Sequence, residues 1–364
     1  MADLQLAAKV ADRGLDLEFS VAGGEVLAIL GPNGAGKSSA AHIVAGLLRP
    51  DSGTVRVGGR TLTDIAANIQ LAPHQRRVGL LLQDPLLFPH LTAVENVAFG
   101  PRARGVGRRG SIDIAMRWLN DVGLSDVAQL RPAQLSGGQA QRVAIARALA
   151  AEPDVLLIDE PLAGVDIAVA TAIRGALRRV ATAQGRSTVL ITHDLLDVIT
   201  LADNVLVLES GTVAEFGPVA DVLTSPRSQF GARVAGVNLV RGILVGRGVL
   251  RSPSGTLWHG TMSEDLESGQ PAVAVFLPTA VAVYRELPHG SPRNITQAIV
   301  AEVADAGGIV RVRGGEQPGG GAGLAADITA AAAADLRLAS GDEVWLSVKA
   351  TEVTLHPTSR SAVD

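Results

Sequence analysis

Short apolar runs alternate with amphipathic stretches over the first two-thirds of the chain. Three of these runs contain a continuous apolar stretch (VLAIL, VLLI and VLI) and lie in Val26 to Leu30, Asp154 to Pro161, and Ser187 to Asp194. Such runs are typical of strands that are buried on both faces of a sheet. Stretches with helical spacing separate them, so the order predicts an α/β domain built on a parallel sheet with helices on both faces. Ligands of such sheets bind at the carboxyl ends of the strands.

The pattern changes twice along the chain. Between about residues 100 and 135 the strand signal fades and helical spacing dominates, which indicates a helical insertion. After Ser225 and Pro226, short valine-rich runs alternate with Gly, Pro and Ser, as in an all-β domain. We therefore expect a domain over residues 1–228 with a helical subdomain at about 84–150, a linker and first β-rich lobe over 229–290, and a further β domain over 291–364.

Composition narrows the class of protein. Hydrophobic residues make up 47% of the chain and charged residues 19%, which allows a large core. The net charge of −4 gives no basic footprint, so we expect no nucleic-acid partner. The absence of cysteine excludes disulfides and thiolate metal sites. We find no secretory signal and no apolar run of the ~20 residues that span a bilayer.

The first buried run is followed by a candidate phosphate site, GPNGAGKS. The pattern G-x-x-x-x-G-K-S between a strand and a helix lets backbone N–H groups and a helix N-terminus face an anion. Lys37 would neutralise the β- and γ-phosphates, and Ser38 would offer its hydroxyl to Mg²⁺. The alternative is an ordinary glycine-rich turn. The predicted nucleotide-binding residues of this loop are Gly31, Pro32, Asn33, Gly34, Ala35, Gly36, Lys37, Ser38 and Ser39.

Four further polar residues follow other predicted strands. Asp159 ends the run VLLI and is a candidate Mg²⁺ ligand, and Glu160 can polarise an attacking water. Their alternative is a helix N-cap signal. His193 and Gln83 also follow apolar runs, which makes His193 a candidate γ-phosphate contact and Gln83 a candidate ligand of metal or water. A satisfied structural histidine and a solvated loop glutamine are the alternatives.

A second possible anion site is LSGGQ, at Leu135 to Gln139. Ser136, Gly137, Gly138 and Gln139 precede the helical stretch QRVAIARAL, so their backbone N–H groups lie at a helix start. The alternative is a capped helix without a ligand. One chain with two phosphate-binding stretches calls for an explanation.

Together these motifs resemble the ATP-hydrolysing subunits of ABC transporters, in the family's order. They are Walker A, the Q-loop Gln83, LSGGQ, Walker B with Glu160, the D-loop ending at Asp166, and the switch His193. The resemblance implies a P-loop NTPase fold with a mixed or parallel sheet and a helical subdomain, with ATP and Mg²⁺ as cofactors. It also implies a homodimer in which the P-loop of one copy and the LSGGQ of the other hold each ATP. That arrangement explains the two anion sites.

The sequence departs from this family near the base of the nucleotide. Family members usually stack adenine on an aromatic side chain near positions 12 to 14, where this chain has Asp12, Arg13 and Gly14. Arg13 can lie over a base by cation–π-like stacking. We therefore expect weaker nucleotide selectivity than is usual.

The segment after Gln83 resembles importers. Leu86, Leu87, Phe88 and Pro89 form an apolar cluster, which is either a socket for a membrane subunit or a local minicore. The resemblance implies two transmembrane permease subunits as partners, an external substrate-binding protein acting indirectly, and a peripheral location on the cytoplasmic face of the cell membrane.

The β-rich tail is similar to the molybdate-binding (molbindin-like) version of importer regulatory domains, which implies an OB-like barrel. The S-x-R-N phrase matches Ser291, Arg293 and Asn294, and the K-A-T phrase begins at Lys349. We expect these four residues to bind a regulatory oxyanion, and the alternative is a barrel that binds nothing. The cargo expected is molybdate or tungstate; another importer cargo such as sulfate, iron or polyamine, a soluble ABC protein, and an anion store with secondary ATPase activity are rival hypotheses.

Overall fold

The computed structural model describes residues 3–162, 167–181, 185–317 and 321–358. These residues form two compact units, the first ending at Val219 and the second beginning at Ala220. No helix among the described residues has the length and apolar character needed to cross a bilayer.

The first unit is an α/β structure. Its strands are β1 (Leu4–Val10), β2 (Leu15–Val21), β3 (Val26–Leu30), β4 (Ser52–Val57), β5 (Arg60–Asp64), β6 (Ile69–Gln70), β7 (Val78–Leu81), β8 (Val155–Asp159), β9 (Ser187–Ile191), β10 (Asn204–Glu209) and β11 (Thr212–Pro218). Its helices are α1 (Lys37–Ala45), α2 (Ala93–Ala103), α3 (Arg108–Asp121), α4 (Gly137–Ala150), α5 (Ile167–Ala181) and α6 (Leu195–Leu201).

One sheet of eleven strands runs through this unit in the order β6-β5-β4-β1-β2-β11-β10-β3-β9-β8-β7. The strands β10, β3, β9, β8 and β7 pair in parallel. Strands β3 and β9 are buried at every residue, as their continuous apolar sequences predict. The other half of the sheet is antiparallel, and there β2 alternates buried and exposed residues. The sheet is therefore mixed, and the parallel arrangement indicated by the three apolar runs forms one half of it.

Helices α2, α3 and α4 pack on one another around a separate apolar cluster that includes Val97, Leu119 and Val143. Thr92 caps α2 in a reciprocal arrangement with Glu95. These elements form the helical subdomain expected from the loss of strand pattern.

The second unit is mostly β-structure. Helices α7 (Val219–Thr224) and α8 (Gln229–Ala235) precede its strands, and α9 (Ala330–Leu336) lies among them. The strands are β12 (Asn238–Gly246), β13 (Val249–Arg251), β14 (Leu257–His259), β15 (Thr261–Met262), β16 (Pro271–Phe276), β17 (Val281–Tyr284), β18 (Asn294–Asp305), β19 (Ile309–Gly314), β20 (Ala325–Thr329), β21 (Glu343–Val348) and β22 (Thr354–Pro357).

These strands form two sheets, in the orders β14-β13-β12-β16-β22-β15 and β17-β21-β18-β19-β20. The sheets exchange strands: β22, near the C-terminus, pairs with β16, whereas β17 pairs with β21. One apolar cluster, which includes Leu250, Val300 and Leu355, draws on both sheets. The two β-rich segments therefore share one core.

The alanine-rich segment before Leu336 is a short helix, α9, capped by the side chain of Thr329. This helix lies between β20 and β21. Five successive alanines have high helix propensity and, once Thr329 accepts the hydrogen bond from Ala332, form two helical turns.

Candidate functional site

The loop between β3 and α1 requires glycine at two points of close approach. A Cβ on Gly31 would lie 2.4 Å from the carbonyl oxygen of Leu208, and one on Gly36 would lie 2.2 Å from a methyl carbon of Leu15. Gly36 also has a φ of 103°, which only glycine adopts readily. The glycines therefore let the loop curl tightly before α1, whose first N–H groups have no partner within the helix. Ala35 of this loop is buried, and Pro32, Asn33 and Gly34 are exposed.

Lys37 lies at the first position of α1 and folds back on this loop. Its Nζ donates hydrogen bonds to the carbonyl oxygens of Gly31 (2.8 Å) and Pro32 (2.9 Å). Burial lowers the pKa of Lys37, and the nearby carboxylates of Glu160 and Asp159 oppose that shift. The ammonium is thus held at the loop by acceptors that an incoming phosphate can replace.

Ser38 connects the loop to the end of β8. Its Oγ donates a hydrogen bond to Oδ2 of Asp159 at 3.0 Å. Burial raises the pKa of Asp159, and the hydrogen bond from Ser38 opposes this. A hydroxyl and a carboxylate are the hard oxygen ligands that Mg²⁺ prefers, and Mg²⁺ takes its remaining ligands from phosphates and water. The pair therefore fits a magnesium ion bound together with a polyphosphate.

Glu160 occupies an unusual backbone conformation, with a φ of 46°. Its N–H donates to the carbonyl oxygen of Ile191 at 2.9 Å, which fixes the turn after β8 against the end of β9. Its Oε1 lies 3.0 Å from Nδ1 of His193. Left-handed backbone at a residue other than glycine is disfavoured and concentrates at functional sites. The apolar sequence before Asp159 gives no signal of this turn.

A buried ion network lies behind His193, and the sequence analysis missed it. Arg174 of α5 donates to Asp197 at 2.6 Å and to Asp194 at 3.0 Å. The Arg174 side chain is 12% exposed. Thr192 bonds to both aspartates, accepting from Asp194 N–H and donating to Asp197. The residues on both sides of His193 are thereby anchored.

These side chains meet in one open cleft of about 590 Å³. The lining brings together nine of the residues that the sequence proposed for nucleotide, metal or catalysis, with three others. It consists of Arg13, Leu15, Asn33, Gly34, Gly36, Lys37, Ser38, Ser39, Gln83, Asp159, Glu160 and Ile191. Gln83 is exposed there, and His193 reaches the cleft through its contact with Glu160.

The LSGGQ segment is separate from this cleft. Ser136 caps α4, with its Oγ accepting from the Gln139 N–H and its own N–H donating to the Gln139 side chain. Positions 137 and 138 have open space where a Cβ would stand. None of these residues contributes to the cleft lining given above. The D-loop residue Asp166 lies outside the described residues.

The residues of the apolar cluster after Gln83 differ in how far they are buried. Leu87 packs against the helical subdomain, whereas Leu86 is 63% exposed. Phe88 lies against Phe99, with ring centroids 4.7 Å apart, and Arg147 sits over the Phe88 ring. A minicore is therefore present at Leu87, whereas Leu86 and Phe99 form an exposed apolar edge, and the socket for a membrane subunit stays a prediction.

The four candidate oxyanion residues lie near one end of the second sheet. Asn294 pairs with Val348 in the ladder, so Arg293 and Lys349 flank the same pair of residues. Lys349 lines a cleft of about 370 Å³ together with Pro292, Ser347 and Glu352, and Ser291 is exposed nearby in sequence. Asn294 itself is buried, and its amide bonds to both the N–H and the carbonyl oxygen of His259.

Comparison with known proteins identifies the family to which the chain belongs. The sequence matches the ABC transporter family over residues 15–163 and the TOBE domain over residues 290–355. The chain belongs to the ATP-binding subunits of ABC transporters, with a C-terminal TOBE domain, as the resemblance predicted.

The relatives that resemble this chain include ATP-binding proteins of molybdenum, molybdate/tungstate and iron import. The chain is 64% identical to the molybdenum import ATP-binding protein ModC of Mycobacterium tuberculosis, over 98% of each chain. It is 31% identical to the molybdate/tungstate import ATP-binding protein WtpC of Pyrococcus horikoshii, over 94% of this chain and 95% of the relative. The iron import protein FbpC of Rhizobium etli is 37% identical but matches only 59% of each chain.

Solved structures resemble the first part of the chain. The dimeric ATP-binding cassette MJ0796, in a post-hydrolysis state bound to ADP and Pi, matches with a TM-score of 0.52 and 29% identity. The match covers 59% of this chain and 98% of that one.

Proposed function

We propose that this chain is the ATP-hydrolysing subunit of an importer for molybdate or tungstate. The observation that carries the proposal is the convergence of Lys37, Ser38, Asp159 and Glu160 in one cleft at the carboxyl edge of the parallel strands. The full-length similarity to molybdenum and molybdate/tungstate import proteins supports the cargo.

Different residues of the cleft bind the phosphates and the magnesium ion. The N–H groups at the start of α1 and the ammonium of Lys37 bind the β- and γ-phosphates. Ser38 and Asp159 hold Mg²⁺, directly or through water, and Gln83 reaches the same ion or the attacking water. When bound there, Mg²⁺ neutralises charge on the phosphate oxygens.

Glu160 acts on the attacking water. Its carboxylate lies at the cleft and accepts a water proton as the water approaches the γ-phosphate. His193, 3.0 Å from Oε1 of Glu160, orients that carboxylate and contacts the γ-phosphate from its other side. The network from Arg174 fixes the turn that carries His193, so the two side chains keep their relative positions.

The cleft is only half of the complete site. Ser136, Gly137 and Gly138 stand at the start of α4 with open space beside both glycines, away from the cleft of their own chain. A second copy, paired head to tail, brings these N–H groups to the γ-phosphate. ATP then links the two copies, and hydrolysis with phosphate release removes the link. The dimeric state of the MJ0796 cassette supports this arrangement.

The working assembly is a homodimer on two permease subunits at the cytoplasmic face of the membrane, and an external binding protein delivers the anion. Leu86 and Phe99 form the exposed apolar edge offered to the permease. In the second unit, Ser291, Arg293 and Lys349 form a candidate regulatory oxyanion site. Asn294, next to Arg293, fixes this end of the sheet through its bonds to His259.

The test is uptake of labelled molybdate by cells that carry the permease and binding protein and depend on this chain for ATP hydrolysis. We expect uptake with the wild type, none with Lys37→Ala, and competition by tungstate but not by sulfate. Uptake that persists with Lys37→Ala, or that sulfate blocks as well as tungstate does, contradicts the proposal.

A further inference from the structure

A buried arginine lies at the carboxyl end of α1, the helix whose first turn follows the phosphate loop. Arg76 comes from the segment between β6 and β7, and its Nη1 donates to the carbonyl oxygens of Ile43 and Val44, each at 3.0 Å. The last carbonyls of an α-helix lack partners within the helix. Arg76 therefore caps the end of α1 that lies opposite the phosphate loop.

The guanidinium of Arg76 is enclosed by protein. Arg76 is 0% exposed, its Nε donates to the Leu71 carbonyl at 2.9 Å, and its Nη2 donates to Oγ1 of Thr63 at 2.8 Å. Gly46 makes this enclosure possible, because a Cβ at that position would lie 2.3 Å from Nε of Arg76. Glycine is therefore required directly after α1 to admit the guanidinium.

The acceptors that surround this arginine are neutral oxygens. Among the described residues no carboxylate bonds to Arg76, and Asp64, beside Thr63 on β5, accepts from the Ala67 N–H instead. Burial lowers the pKa of Arg76, but an arginine in a protein remains protonated. Within the described part of the chain, a full positive charge is therefore buried without a counter-ion at the far end of the phosphate-binding helix.

This charge changes the electrostatic field along α1. The aligned peptide dipoles give a helix a partial positive charge at its first turn and a partial negative charge at its last turn. The negative end opposes an anion at the positive end, and a guanidinium on the last carbonyls more than cancels it. At about 1.5 Å per residue, the ends of the nine-residue helix lie roughly 13 Å apart. Little water or salt screens the charge over this distance, because most of the intervening residues are buried: Ala40, Ala41, Ile43, Val44 and Ala45.

We propose that the buried charge of Arg76 attracts the phosphates bound at the opposite end of α1 and so raises nucleotide affinity without touching the nucleotide. The inference rests on the proposed function in placing phosphates at the start of α1. Coulomb energy is proportional to the product of the two charges, so the contribution grows with the charge of the ligand. Loss of a purely structural cap would instead weaken every ligand by the same factor.

The experiment neutralises Arg76 without removing it. Thr63→Asp places a carboxylate where Nη2 donates, and Thr63→Asn places a neutral amide of the same size there. Equilibrium binding of tripolyphosphate, pyrophosphate and orthophosphate to the full chain is measured, together with the Tm of each variant. Relative to Thr63→Asn, Thr63→Asp should weaken tripolyphosphate by about tenfold and orthophosphate by about threefold, with pyrophosphate between them. Its Tm should be no lower, because the buried cation gains a counter-ion.

A second pair of variants separates charge from hydrogen bonding at Arg76 itself, and it decides the question if the Thr63 variants do not fold. Arg76→Lys keeps a cation among the same oxygen acceptors and should bind the three anions within about twofold of the wild type. Arg76→Gln keeps hydrogen-bond donors without charge and should show the graded loss. Arg56→Gln removes an exposed cation on β4 as a control, and it should leave the three affinities unchanged because water screens that charge.

Two results would overturn the role of Arg76 and leave the phosphate site intact. They are equal weakening of the three anions by Thr63→Asp, and anion affinities that follow Tm rather than charge across the variants. Lys37→Ala identifies failure of the proposed function, because it should abolish binding of all three anions. A wild type that binds none of them rejects the nucleotide site, and the role of Arg76 with it.

Discussion

The polar side chains of the nucleotide cleft, in the first unit, have different hydrogen-bond partners from those near the Lys349 cleft, in the second unit. In the first, Lys37 bonds to loop carbonyls and Ser38 bonds to Asp159, contacts that phosphate and Mg²⁺ can replace. In the second, Glu352 lies in the same cleft as Lys349, and the neighbouring Asn294, which does not line that cleft, is committed to the backbone of His259. A motif residue can thus serve binding in one unit and support the fold in the other, and hydrogen-bond partners distinguish the two roles.

The largest effect expected is on catalysis at Glu160. Glu160→Gln removes the proton acceptor while keeping shape, so ATP turnover should fall by about 10² to 10⁴-fold with nucleotide binding unchanged. Steady-state hydrolysis and equilibrium binding measure the two effects, and ATP should trap a dimer detectable by size-exclusion chromatography. Glu152→Gln is a matched control, because Glu152 also has left-handed backbone but pairs with Arg104 outside the cleft. Wild-type turnover in Glu160→Gln removes Glu160 from the mechanism.

The next largest effect expected is a loss of stability, which we compare for one ion pair in each unit. Arg174→Met leaves the buried carboxylate of Asp197 uncompensated and should lower the free energy of unfolding by about 3–5 kcal/mol. Arg311→Met breaks the bidentate pair with Asp327, but the Arg311 side chain is 32% exposed. The Asp327 side chain is 5% exposed within the pair, but removal of a guanidinium that lies partly at the surface opens this carboxylate to water, and we expect a smaller loss of about 1–2 kcal/mol. Denaturant titration of both variants measures the two losses in the free energy of unfolding. Equal losses would contradict the argument from the different exposure of Arg174 and Arg311.

Arg174 also has a predicted role in positioning His193. Arg174→Lys retains the charge but not the two-pronged contact with Asp194 and Asp197. It should recover most of the stability while kcat stays lowered and KM for ATP stays near the wild-type value. Full recovery of kcat together with stability would show that the network is structural only.

A smaller effect on stability is expected in the second unit, where it separates the role of Asn294 from that of Lys349. Asn294→Ala leaves the N–H and carbonyl of the half-buried His259 without the Asn294 amide and should cost about 1–3 kcal/mol of stability. Lys349→Ala, at an exposed position, should leave stability unchanged and weaken molybdate binding. Denaturation and calorimetric titration of the full chain check both variants. The opposite pattern would make Asn294 the anion ligand and Lys349 the support.

The smallest effect is electrostatic. Because burial raises the pKa of Asp159, its ionised form is less stable in the folded chain than in the unfolded chain. This unfavourable contribution is absent well below the ordinary aspartate pKa, develops as pH rises through the interval up to the raised pKa, and persists at neutral pH. Asp159→Asn should therefore raise Tm slightly at pH 7 without ligand, and it should abolish the stabilisation by Mg²⁺ with nucleotide. A Tm difference that is the same at pH 3 and pH 7 contradicts this account.

Much of the fold follows from local patterns. Continuous apolar runs predicted β3, β8 and β9, and the glycine pattern predicted the start of α1, because burial on both faces and tight turns leave direct marks on sequence. The antiparallel half of the sheet was missed, since β1 and β2 alternate as any half-exposed pair of strands would. The exchange of strands between the two sheets of the second unit has no local mark either, because each β-rich segment reads as self-contained.

By itself the sequence determined the order of the chemical groups: a phosphate loop, carboxylates after a buried strand, a histidine after the next, and a separate serine–glycine helix start. The tertiary structure alone decided which groups touch. Arg174 turns towards Asp197, Glu160 takes left-handed backbone beside His193, Arg13 reaches Ser39, and Asn294 supports His259. The physical reason is that spacing along a chain fixes the direction of a side chain, whereas its partner comes from a distant segment that only packing brings within hydrogen-bonding distance.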